Sequence, residues 1–122
     1  MNYPVRVVDS DAFDAWRAGL PKGQGFPAAV KAKIAAEGGT LLCWFGEDPD
    51  KPVSFQWMCP GCGSTYSGRL GDQPIGGWDW PQWVNSGTLE RPTLAPSLGC
   101  GNWKRGECVG HWWLRDGELV PA

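Results

Sequence analysis

Two short cysteine motifs carry the clearest chemistry in this sequence. Cys59 and Cys62 are separated by Pro60 and Gly61, and Gly63 follows. That is one half of a zinc knuckle, whose two-residue turn lets both thiolates face one ion. Cys108 and His111 have the same x2 spacing. Two thiolates and a second x2 pair meet the tetrahedral sulfur-and-nitrogen preference of Zn2+. The expected cofactor is therefore Zn2+, held by Cys59, Cys62, Cys108 and His111. Cys100, set between Gly99 and Gly101, competes with Cys108 for the fourth place. Cys43 lies in an apolar run and reads as a core thiol. The halves are 45 residues apart (63–107), so the ion would tie two distant hairpins together. Four protein ligands leave no open coordination position, which makes the expected site structural.

Other chemistries find less support. With one His, no HExxH motif exists. A zinc deaminase needs a ligand two residues before a Glu, then Pro-Cys-x-x-Cys. Here Met58 precedes Cys59, and Phe45 stands two residues after Cys43. No βαβ pattern surrounds the Cys pair, so a thioredoxin-like redox motif fits poorly. Ser-His-Asp chemistry could use only His111, which the metal already claims. Glu47, Asp48 and Asp50 read as a solvated turn rather than a catalytic carboxylate pair.

The elements that must position these residues are short. The chain has 122 residues, of which 18 are Gly and 11 Pro, which argues against a helical bundle. A helix is expected over Ser10–Ala18 with Ser10 as N-cap, and a second over residues 27–37, before Gly38-Gly39. Strand signals follow at residues 40–45, 53–58 and 64–70, and a proline-interrupted one at residues 78–84. Pro92 and Pro96 restrict residues 90–98 to an edge strand or extended loop. Asp116-Gly117 between two apolar stretches is a strong hairpin signal. The expected fold class is α+β: short N-terminal helices (residues 1–39) on antiparallel β-hairpins (residues 40–122). The core would be zinc-ribbon-like and the whole a single zinc-binding domain.

The formal net charge is −2 and the pI about 5.3, which disfavours broad nucleic-acid binding. No apolar run approaches the roughly 20 residues of a membrane span, and residues 1–14 lack a signal-peptide pattern. A reducing cytosol is the default location, where Cys pairs read as metal ligands before disulfides. Nine Trp are a surplus for this length. Most should fill a small core. Trp78, Trp80 and Trp112, with Lys104 and Arg105, are the candidates for a partner-binding face.

Several stretches together resemble a known family. They are residues 91–99, then Gly101-Asn102-Trp103, then Cys108-x2-His111-Trp112-Trp113-Leu114-Arg115-Asp116-Gly117, with the Cys59–Gly63 knuckle upstream. The combination is similar to small uncharacterised proteins of phages and bacteria. Trp78, Trp80 and residues 90–97 are similar to a related phage group labelled ammonia monooxygenase. The resemblance covers about residues 40–120; residues 1–39 have no counterpart in it. It implies a zinc-binding, β-rich domain found in phage genomes and in bacterial operons with ubiquitin-like conjugation components. The expected function is that of a non-enzymatic phage or mobile-element accessory protein that binds a host protein, as an anti-defence inhibitor would. The alternatives are a nucleic-acid-binding zinc ribbon using Trp112, Lys104 and Arg105, and a zinc-dependent hydrolase linked to ubiquitin-like systems.

Overall fold

The structure is a computed structural model and describes residues 2–20, 25–71, 82–99 and 111–122. Alternation begins at once. Tyr3, Val5 and Val7 are half-buried, Pro4 and Arg6 exposed, and Tyr3–Val8 forms strand β1. Helix α1 follows at Ser10–Ala18. Its cap is Asp9 rather than the expected Ser10: the Asp9 carboxylate accepts from the Ala12 amide at 2.7 Å. Helix α2 spans Phe26–Glu37 with Pro27 in its first turn. It ends at Gly38, whose φ of 77° is the left-handed conformation that glycine adopts without penalty.

Strand β2 (Thr40–Phe45) lies parallel to β1, with Val5 opposite Thr40 and Val8 opposite Cys43. A parallel pair needs a crossover, and α1 and α2 provide it. Strands β3 (Ser54–Met58) and β4 (Thr65–Leu70) continue antiparallel, while β5 (Gln82–Asn85) is parallel to β4. Antiparallel pairing resumes through β6 (Leu94–Gly99), β7 (His111–Arg115) and β8 (Glu118–Pro121). The β7–β8 turn is Asp116-Gly117, with φ of 47° and 76°, the doubly positive geometry of a tight hairpin. Strand β8 then pairs with β1, Leu119 opposite Tyr3, and the eight strands close into a barrel.

This corrects the expected α+β, zinc-ribbon-like class. The missing stave was Tyr3–Val8, and its pairing on both sides turns a set of hairpins into a closed wall. The helices cover part of that wall instead of forming a separate layer. The stretch expected at an edge, residues 90–98, contributes β6, which is paired on both sides. Of the strand expected at residues 78–84, only the part from Gln82 lies within the described residues.

Two cores result. Leu42, Phe55, Trp57, Leu94, Leu98, Trp112, Leu114 and Leu119 fill the barrel. Phe13, Val30 and Ile34 of the helices pack on Leu41, Cys43 and Met58 outside it. Strand β2 is therefore apolar from Leu41 onward, because both of its faces are covered, and the hydroxyl of its buried first residue, Thr40, donates to the Met58 carbonyl at 2.9 Å. Burial, then the charges of Asp9 and Asp14, push the Cys43 thiol above its ordinary range.

Candidate active site

The cysteine knuckle is the β3–β4 connection. The Gly63 amide donates to the Cys59 carbonyl at 2.8 Å, and the Cys59 amide to the Ser64 carbonyl at 2.9 Å. Cys59 is buried and Cys62 half-buried, with its Sγ 3.7 Å from the Tyr66 hydroxyl. His111 begins β7, also at a strand end, as expected. Among the described residues, no three His, Cys, Asp or Glu side chains gather closely enough to hold a metal ion. Cys100 and Cys108 lie outside the described residues, as do Trp78, Trp80, Lys104 and Arg105. Trp112 is in the barrel core, 4% exposed, with the Tyr3 ring edge-on to it at 5.6 Å.

A different set of residues meets around a cleft. Its volume is about 1050 Å3. Strands β3 and β4 contribute Phe55, Trp57, Tyr66 and Gly68, and β5 contributes Trp83. Strands β6 and β7 contribute Ser97, Gly99 and His111. Among the described residues β5 meets β4 only at Arg69 and Leu70, and β6 only at Leu94 and Ala95. The first half of β4 and the last half of β6 both line this cleft.

Local structure brings Ser97 and His111 to this cleft. Gly99 sits opposite His111, and Leu98 opposite Trp112. Further back, Leu94 sits opposite Leu114. Strand β6 therefore takes four steps where β7 takes two, and the excess is a bulge just before Leu98. Bulges of this kind re-aim a side chain and are common beside active sites. Pro96 sits in this segment, where its missing N–H breaks no regular ladder bond. Gly99 leaves room next to the imidazole: a Cβ there would lie 3.6 Å from His111 Nε2.

Trp83 anchors the cleft. Its ring stands edge-on to Phe55 at 5.6 Å, and its Nε1 donates to the Ser97 carbonyl at 3.4 Å. Gly68 makes this packing possible. A Cβ there would fall 2.6 Å from the Phe55 ring and 2.9 Å from the Trp83 ring. Arg69 is the only side chain of fixed charge among the described lining residues.

A closed barrel with a serine and the chain's one histidine on neighbouring strands, both lining one cleft, defines a candidate hydrolase of the serine class. The family model described as "bacterial ubiquitination-like system serine protease (BubE)" matches residues 32–122, and the chain belongs to that family. No curated protein and no solved structure matches it. Membership overturns the non-enzymatic accessory function expected from the sequence, and with it the phage and anti-defence reading. Of the expected alternatives, the hydrolase linked to ubiquitin-like systems is the nearer, and the family description names a serine protease. The nucleic-acid-binding zinc ribbon falls with the ribbon fold. Among the described residues no helix is long and apolar enough to cross a membrane.

Ser97 is not among the site residues expected from the sequence, although Pro96-Ser97 lies within the family-like stretch. A serine is an ordinary hydroxyl until a base stands beside it. With His111 expected at the metal, no serine has a base.

Proposed function

We propose that this chain is a serine protease of a bacterial ubiquitination-like system, with Ser97 as nucleophile and His111 as general base. The observation that carries this reading is their shared cleft, reached from hydrogen-bonded neighbouring strands with a bulge between the two paired stretches. Ser54 and Ser67 also line the cleft. Neither lies on the strand paired with that of His111, so Ser97 is preferred.

The chemistry follows the general scheme for an activated serine. His111 accepts the Ser97 hydroxyl proton as Oγ attacks the scissile carbonyl. The tetrahedral adduct collapses, the C–N bond breaks, and His111 returns the proton to the leaving amine. Water, deprotonated by His111, then attacks the Ser97 acyl ester and restores the free hydroxyl. The substrate class follows from the family description: a peptide or isopeptide bond of a ubiquitin-like protein or its conjugates. At about 1050 Å3 the cleft is at the large end of ligand pockets, which run to roughly 1000 Å3, and has room for a segment of polypeptide.

The test is covalent labelling. A fluorophosphonate should modify the wild-type protein once, and peptide mapping should place the adduct on Ser97. Ser97→Ala and His111→Gln should each lower turnover on the order of ten-thousand-fold with folding retained. An adduct on another serine, or full activity in Ser97→Ala, overturns the assignment.

A further inference from the structure

We propose that the cleft selects an extended peptide carrying an acidic side chain about three residues from the scissile bond, and that Arg69 reads that carboxylate. The inference rests on the assignment of Ser97 given above and adds a specificity-determining residue to it.

Three observations converge. The first is charge. Arg69 is exposed and is the only side chain of fixed charge among the described residues lining the cleft. The remaining described lining is aromatic, aliphatic or neutral polar, apart from His111. Among these described residues the one fixed charge is positive, so a carboxylate on the occupant is complementary to Arg69. A guanidinium can hold a carboxylate through two parallel hydrogen bonds, which adds direction to the attraction.

The second is spacing. Arg69 lies on β4 opposite Gln82 of β5, and β5 pairs in turn with β6, which carries Ser97. Two strand spacings amount to roughly 10 Å. An extended peptide rises about 3.3 Å per residue, so this span corresponds to about three residues. The third is shape. The β5 residue opposite Arg69 is Gln82, and next to it Trp83 lines the same cleft, paired with Leu70 and donating its Nε1 to the Ser97 carbonyl. Trp83 thus adds apolar surface to the cleft beside the proposed nucleophile.

The test separates binding from catalysis. Labelled decapeptides with Asp, Asn or Lys at successive positions are titrated against the Ser97→Ala protein by fluorescence anisotropy. One register of Asp should bind about fivefold more tightly than its Asn counterpart, the gain expected of a partly exposed ion pair. Arg69→Glu should remove this preference and favour the Lys peptide at the same register. The preference should weaken as salt rises. Equal binding of Asp, Asn and Lys peptides overturns the proposal, even if the wild-type protein cleaves them. Tighter binding of oligothymidylate than of any peptide also overturns it, because the cation would then be reading phosphate. Failure of the serine assignment registers elsewhere: no fluorophosphonate adduct forms, whatever the peptides do.

Discussion

Gly99 has no side chain, and the imidazole of His111 lies over the space this leaves. At the residue scale the site depends on such omissions as much as on its reactive groups. A valine at 99 would extend branches past the position where a Cβ already sits 3.6 Å from Nε2. A branch aimed at the ring turns the imidazole aside, and a misplacement of about 1 Å costs about a hundredfold in rate. Gly99→Val should therefore lower kcat by up to about that factor, and Gly99→Ala, whose Cβ makes an ordinary contact, should leave it nearly unchanged, while neither moves the melting temperature much, since Gly99 is exposed. Equal turnover in both variants would mean that a side chain at 99 leaves the imidazole in place. The same scale explains what the sequence could and could not disclose about the site. His111 stood out through its x2 spacing to Cys108, which pointed to a metal and not to a serine. The proposed nucleophile did not stand out, since nothing in the sequence sets Ser97 apart from other serines, and the bulge in its strand is seen only in the fold. Cys59 and Cys62 were legible as a turn, and the hydrogen bonds of residues 59–64 form one. Their spacing to His111 could not be read from the chain.

Elements were legible where their signals are local. The Asp116-Gly117 hairpin needs only two residues able to take positive φ between apolar stretches, and it forms. The two helices end at glycines as expected. Strand β2 was recognisable as an apolar run, though not its reason, which is burial on both faces. Strand β1 went unread because its proof lies elsewhere, in β2 and β8. At this scale the contact between α2 and the cysteine knuckle is the sharpest constraint. Gly63 has a φ of 76°, and a Cβ on it would be driven into the Pro27 carbonyl oxygen at the start of α2. Both the strained conformation and the backbone clash oppose a side chain there. Gly63→Ala should destabilise the fold by about 2 kcal/mol or more, read as a lower urea midpoint at unchanged slope. A neutral result would mean that α2 does not rest on the knuckle.

The whole molecule is a ring of eight strands whose first and last members meet. The family match begins at residue 32, yet β1 and α1 precede it and complete the wall and its cover. A chain shortened to residues 32–122 would lose β1, leaving an edge on β2 and another on β8. It would also uncover Leu41, Cys43 and Met58. Such a fragment should self-associate, read as a mass above the monomer by light scattering, because unpaired edges and apolar faces recruit partners. A monodisperse, active monomer would make the first 31 residues an appendage. Closure also has a history in time. Tyr3 and Leu119 are paired in space but made far apart in synthesis. At 5–20 residues per second, translation separates them by roughly 6–20 s. Throughout that interval one side of β1 waits for its last neighbour. The Val5 amide, which will donate to the Gly117 carbonyl at 2.7 Å, is among the groups left without a strand partner until then. For those seconds the first strand is an open edge, and its own C-terminal hairpin is what closes it.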